Sequence, residues 1–329
     1  MGALDIIKPF VRTAKLRALK HKAERLAKVP VAAEHGESPD LPPLPPPAFI
    51  VACGRSGTTI LGRLFARHPE VAYLREPYHC WAAIDPALDV TNLHVRTPPR
   101  LWWDESQATD AIRTRFARLI LGERARQGRR VLIEKTPHNI YRIGLLEALT
   151  AGRAHYIHIV RDGVDVTRSI DRLASNQPYK MAGRSDYNQW WGSNGLKWQR
   201  LETEGPGLGH FTAEEVAQLK TNQQKGAYEW LTSLGEADRW RPVLEDRLLE
   251  ITYRQLTAEP RKTLVALAKH VGASTPDTWL DEASAMLSPE RKNKGSELLL
   301  PPRMAEQFNL YQEHHRFENR ATPTEYGVV

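Results

Sequence analysis

Cysteine is nearly absent from this 329-residue chain, with Cys53 and Cys80 its only two. Two cysteines exclude a disulfide framework, and no Cys/His cluster has the spacing of a zinc site, so no metal is expected. Cys53 ends an apolar run, the place of a small buried residue. Long apolar runs are missing as well, none approaching the ~20 residues that cross a bilayer. Basic residues recur throughout the N-terminal stretch and leave no uninterrupted apolar region, unlike a secretory signal, so a cytoplasmic protein is expected. A hydrophobic share of 41% and a charged share of 26% are those of an ordinary globular chain. The length suffices for one large domain or two small ones.

Charge of one sign is scarce everywhere but the start. The formal net charge of +7 would suggest a nucleic-acid partner, yet residues 1–28 hold eight Lys and Arg against Asp5 and Glu24, nearly the whole excess. The remainder is close to neutral, and no nucleic acid is expected. Leu16, Leu19, Ala23 and Leu26 recur at helical spacing between the basic residues. Residues 1–37 therefore read as a basic amphipathic arm that could rest peripherally on the inner face of an anionic membrane, or pack on the domain. Residues 38–47 (SPDLPPLPPP) hold six prolines and read as an extended linker. The main domain is placed at 48–329.

Ala48–Cys53 reads as a buried strand, Gly54–Gly57 as a turn, and Thr58–His68 as a helix with Ile60, Leu61, Leu64 and Phe65 on one face. Further strands are expected at Val71–Leu74, Val131–Glu134, Tyr156–Val160 and Leu248–Thr252. Helices are expected at about 107–127, 139–150, 163–174, 213–235 and 258–271. Such alternation predicts a parallel α/β sheet. Residues 176–210, rich in Asn, Gly, Trp and Tyr, read as an irregular lid or substrate loop.

Strand, glycine turn, helix is the architecture of an anion site, because backbone N–H groups line the turn and the helix N-terminus favours negative charge. Gly54 and Gly57 permit close approach. Ser56, Thr58 and Thr59 supply hydroxyls, and Arg55 a permanent charge. The pattern of nucleotide triphosphatases, G-x-x-x-x-G-K-[ST], is not met: its first glycine would fall on Ala52 and its lysine on Thr58.

The segment Cys53-Gly54-Arg55-Ser56-Gly57-Thr58-Thr59 resembles the 5′-phosphosulfate loop of sulfotransferases, which use 3′-phosphoadenosine 5′-phosphosulfate (PAPS) and release PAP. Three later segments agree in order. Arg161 ends a strand and Ser169 follows eight residues later, as in the family's 3′-phosphate site; two helical turns put both on one face. Tyr253, in Glu250–Pro260, matches a tyrosine near the adenine, while Arg254 and Gln255 depart from the usual acidic pair. Lys294 and Gly295, in Glu290–Ser296, are similar to the late loop over the 3′-phosphate. The style of these motifs is closest to the bacterial, carbohydrate and protein-tyrosine sulfotransferases. The resemblance implies a three-layer α/β/α fold with a central parallel sheet, like the P-loop nucleoside triphosphatases.

It also implies roles. Glu76, just past the second strand, would be the general base, with His79 its rival. Arg55 would face the departing phosphate oxygen. Lys135, in a segment similar to the family's K-x-P, would hold the sulfate oxygens, with Glu134 to orient it. His138, Asn139 and Trp190 are candidate acceptor contacts, Asn139 alternatively a helix cap. Of Trp81, Trp102, Trp103, Trp190, Trp191 and Trp198, at least half are expected to be packing residues. The expected acceptor is a hydroxyl of a sugar, glycolipid or small natural product. Two other classes stay open: a P-loop kinase or hydrolase, which would want a magnesium carboxylate such as Asp162, and a non-catalytic nucleotide-binding module attached to a membrane by its arm.

Overall fold

The computed structural model describes residues 3–30, 44–176, 180–288 and 297–324. Five short strands form a parallel sheet: β1 (Ala48–Val51), β2 (Val71–Arg75), β3 (Val131–Lys135), β4 (His155–Val160) and β5 (Leu248–Thr252), in the order β2-β3-β1-β4-β5. Apolar side chains on both faces of β1 explain why it is central. Phe49 and Val51 enter one core with Leu132, Tyr156 and Val160, while Ala48 and Ile50 enter another with Ile133, Ile157 and Ile159. Helices cover both faces, giving the expected three-layer α/β/α architecture.

Chain direction reverses its lateral course at β1, with β3 on one side and β4 on the other. A crevice at the carboxyl ends of strands around such a switch point is where open α/β sheets place ligands. Helix α1 (Ala3–Leu26) packs on α3 (Tyr78–Ile84), burying Ala23 and half-burying Leu16, Leu19 and Leu26. The stripe that could have met a membrane is therefore turned onto the domain. Residues 31–43, with most of the proline-rich stretch, lie outside the described residues.

Helix α2 (Thr58–Phe65) follows β1, and α4 (Gly163–Asn176) follows β4. Residues 176–210 are more regular than expected. After a short hairpin pairing Tyr187–Asn188 with Gly192–Ser193, they contain α5 (Leu196–Gly207), which buries Lys197, Trp198 and Leu201. The single helix expected at 213–235 is two: Ala213–Ala217 and α6 (Asn222–Leu244), each begun by a capping box, Thr212 with Glu215 and Thr221 with Gln224.

Candidate active site

The β1–α2 loop is held between two aromatic rings, and its glycines make that possible. A Cβ on Gly57 would stand 2.5 Å from Tyr253 Cδ2, and Gly57 has φ of 102° as the N-cap of α2. A Cβ on Gly54 would stand 2.4 Å from the Trp190 ring. Ser56 and Thr58 are buried beneath the loop, whereas Arg55 reaches outward from a left-handed backbone at φ 73°. Non-glycine residues seldom hold that conformation unless their surroundings enforce it.

Arg55 Nε donates to Ser169 Oγ at 3.0 Å, across 114 residues of sequence. The loop therefore meets the Arg161–Ser169 face of α4. Arg161 pairs with Asp165 at 3.1 Å and lies over the Tyr253 ring at 5.2 Å. Burial, followed by the charge of Arg161 and more weakly that of Arg172, lowers the pKa of Arg55, with Glu76 opposing. Crowded guanidinium groups raise the local potential and favour an anion between them. Tyr253 starts a short helix, Tyr253–Ala258, in which Gln255 completes a capping box with Thr252 and Arg254 donates to the carbonyl of Arg316 at 2.9 Å. Both departures from the acidic pair thus have local structural uses.

The sheet register sets Arg75 beside Lys135. Glu76 follows at once; its N–H donates to the Lys135 carbonyl at 2.8 Å, and its carboxylate accepts from Lys135 Nζ. Lys135 Nζ also lies 3.5 Å from Thr59 Oγ1. Burial lowers the pKa of Lys135, and the Glu76 carboxylate opposes that. Like Arg55, Glu76 has a left-handed backbone, at φ 43°.

Glu134 does not orient Lys135 by a hydrogen bond, because adjacent strand residues face opposite sides. Its carboxyl accepts from Trp81 Nε1 at 3.2 Å, from Asn139 Nδ2 at 2.7 Å and from the Thr136 hydroxyl. Burial pushes its pKa up to about 7 against those hydrogen bonds. Asn139, fully buried, serves Glu134.

A cavity of about 410 Å³ opens beside the loop, lined by Arg55, Thr59, Glu76, His138, Trp190 and Lys197 among others. Beneath it lies a buried charge pair not anticipated from sequence. Lys197 Nζ donates to Glu229 Oε1 at 2.7 Å, Trp190 Nε1 donates to Glu229 Oε2 at 2.9 Å, and Lys197 sits 4.1 Å over the Trp190 ring. A glutamate inside the apolar run Tyr228–Leu231 was the available signal. Neither ring nitrogen of buried His138 has a hydrogen-bond partner, and burial holds its pKa well below the usual histidine range.

His79 points elsewhere, with its ring 6.0 Å from that of His94 on the α1 side of α3, and it is not among the residues lining the cavity. Trp81, Trp102, Trp103, Trp191 and Trp198 are buried, leaving Trp190 as the member of that set at the cavity. Lys294 and Gly295 lie outside the described residues. Asp162 caps α4, accepting from the N–H groups of Val164 and Asp165 at 2.9 and 3.2 Å, and also takes a hydrogen bond from Asn319. That use accounts for it without a magnesium ion. Among the described residues one group, Glu250 with His314 and His315, gathers potential metal ligands within 4.8 Å. Glu250 there already accepts from Arg241 and His158, each at 2.8 Å.

No curated protein sequence matches the chain. Among solved structures it is similar to the sulfotransferase domain of the curacin biosynthetic pathway, at 14% identity and TM-score 0.49, covering 84% of this chain and 99% of that one. It is also similar to the sulfotransferase domain of the Synechococcus PCC 7002 olefin synthase, at 20% identity and TM-score 0.48, covering 85% and 98%. A sulfotransferase from Mycobacterium avium follows, at 12% identity and TM-score 0.46, covering 93% and 86%. Residues 46–206, which hold the glycine loop, Glu76, Lys135, Arg161 and Ser169, match the model described as the sulfotransferase family. That match assigns residues 46–206 to the sulfotransferase family.

Proposed function

We propose that this enzyme moves the sulfuryl group of PAPS to an acceptor hydroxyl by in-line displacement, leaving PAP. The observation that carries the reading is the Arg55–Ser169 hydrogen bond, with Arg161 close enough to depress the pKa of Arg55. One cationic pocket then serves both ends of a nucleotide carrying a 5′-phosphosulfate and a 3′-phosphate. The N–H groups of the loop and the hydroxyls of Thr58 and Thr59 hold the 5′ end, and Arg161 and Ser169 hold the 3′-phosphate. Tyr253, packed on Gly57 and Arg161, offers its ring to the adenine.

Glu76 and Lys135 supply the chemistry at the other side. Lys135 pairs with the Glu76 carboxylate while the acceptor is away. When negative sulfate oxygens arrive, Lys135 turns part of its charge to them, and the carboxylate is released to take the acceptor proton. Arg55 stabilises the charge that develops on the departing phosphate oxygen. The side chains present furnish positive charge at both positions, so no step calls for a metal. His138 and Trp190 border the space left for the acceptor, and a cavity of about 410 Å³ suits a sugar, a glycolipid headgroup or a small natural product.

A peripheral membrane contact is favoured by one observation. Ile7, Phe10 and Val11, spaced to share one face of α1, are 53%, 65% and 61% exposed beside Lys8 and Lys15. No helix among the described residues is long and apolar enough to cross a membrane.

The test is incubation with sulfur-labelled PAPS and fractionated extracts, followed by mass spectrometry of the labelled product. A labelled hydroxyl compound that fails to form with Glu76→Gln is expected. Transfer unchanged by that substitution would remove Glu76 from the mechanism.

A further inference from the structure

A second cavity, of about 210 Å³, lies between α1 and the segments 93–96 and 181–184. Leu93 lines both this cleft and the reaction cavity, so the two adjoin at that residue. The cleft is built from parts of the molecule far apart in sequence. Thr13 Oγ1 accepts from the N–H of Ala182 at 3.2 Å, and Arg12 donates to the carbonyl of Lys180 at 2.7 Å, tying α1 to the lid segment. The backbone of Leu16 bonds the His94 ring.

Its lining has one sign of charge. Arg17, Lys20, Arg96 and Arg184 all contribute, and no carboxylate is among the lining residues. Lys20 has a partner in Glu24, at 3.2 Å on the next turn of α1. Asp89 is buried behind the wall, where it accepts the N–H groups of Leu93, His94 and Val95 and so shapes the segment. Arg184 is fixed by the Leu93 carbonyl at 3.2 Å and by the Ser193 hydroxyl. Two buried nitrogens of lining residues lack a hydrogen-bond partner: Arg184 Nε, a donor, and His94 Nδ1. Buried polar atoms normally find partners, so the wall of the cleft has unmet hydrogen-bonding capacity. Arg184 can complete its hydrogen bonding with an anionic oxygen. With one His94 nitrogen committed to Leu16, the other can accept from a ligand hydroxyl.

We propose that this cleft holds an anionic group of the acceptor, so that the molecule sulfated carries a carboxylate, phosphate or sulfate besides the hydroxyl it presents to Glu76. The proposal rests on the sulfuryl-transfer reading and narrows its acceptor. α1 becomes one wall of the acceptor site, and the basic arm has a use within the fold.

The test is calorimetric titration of inorganic phosphate into the full chain saturated with PAP, which occupies the donor pocket. Phosphate is expected to bind, to be displaced by hydroxybenzoate and not by its methyl ester, and to bind at least about tenfold more weakly to Arg17→Ala/Arg96→Ala. Both replaced side chains are on exposed parts of the surface, and PAP affinity should stay within about twofold of the unaltered enzyme as a check on folding. No phosphate binding, or equal binding by the double variant, overturns the proposal. So does anionic-vesicle binding that depends on Arg17 and Arg96 while free phosphate does not bind, since the cleft would then face a membrane. If PAP itself does not bind, the donor reading fails separately. Phosphate binding that survives Arg161→Ala but not Arg17→Ala/Arg96→Ala would still place an anion site in the cleft.

Discussion

Replacing Glu229 with glutamine should be among the most damaging single changes in the molecule, although the two side chains are nearly the same size. Glu229 and Lys197 are both fully buried, and their contact at 2.7 Å is the compensation for removing the lysine charge from water. Glutamine keeps one acceptor oxygen but sets an NH₂ donor against either Lys197 Nζ or Trp190 Nε1. One charge is then buried without its partner, which costs about 3–5 kcal/mol. At roughly 2 °C of melting temperature per kcal/mol for a domain this large, the midpoint should fall by about 6–10 °C. The double variant Lys197→Met/Glu229→Leu removes both charges and should recover most of the loss, because a buried pair is close to neutral against apolar residues of similar volume. The double variant should also weaken PAP binding, since Trp190 then loses the acceptor that holds its ring against Gly54. Urea denaturation followed by tryptophan fluorescence and circular dichroism gives the stabilities. A loss under about 1 kcal/mol for Glu229→Gln, or a double variant no more stable than the single one, would refute the reasoning.

Arg161→Ala should weaken PAP about a hundredfold while leaving adenosine 5′-phosphosulfate within about threefold, read by calorimetry; equal weakening would take Arg161 away from the 3′-phosphate. Gly57→Ala meets both a φ of 102° and the Tyr253 ring, so PAP affinity should drop at least about tenfold. Gly128→Ala, with φ of 61° but nothing within 4 Å, should lose only stability. Burial pushes the pKa of His94 down to about 4 from an ordinary 6.5. Between those values the unfolded chain holds a proton that the folded chain lacks, so stability falls on acidification from pH 6.5 and this contribution levels off below pH 4. Glu134, raised to about 7, acts in the opposite sense and is common to both proteins compared. His94→Gln should therefore lessen the loss between pH 7 and 4.5 by about 2–3 kcal/mol, measured by denaturation at each pH.

The sheet was legible because its strands are apolar on both faces, and all five fall within a residue or two of the runs read from sequence. Helix starts were less so, although the signal existed. Thr212–Glu215, Thr221–Gln224 and Thr252–Gln255 are capping boxes, and recognising them would have split the helix expected at 213–235 and started one at Tyr253. Helix α5 was hidden by Gly205-Pro206-Gly207 at its end, which weakens a helical pattern otherwise marked by Lys197, Trp198 and Leu201. The loop and the Arg161–Ser169 spacing could be read locally; their meeting through Arg55 could not, because no local rule relates residues 114 positions apart. Lys197 and Glu229 were missed for the same reason. Glu229 stands out inside its apolar run, but Lys197 reads as an ordinary solvated charge, and burial makes sense of the two only as a pair.

On the proposed reading, the pocket formed by the loop, Arg161 and Ser169 takes a 3′-phosphorylated adenine nucleotide. Its most direct test is equilibrium binding of PAP to the full chain, beside AMP and magnesium ATP under the same conditions. PAP is expected to bind at least about tenfold tighter than either, with the advantage over AMP lost in Arg161→Ala. Tighter binding of magnesium ATP, or no preference for the 3′-phosphate, would contradict it.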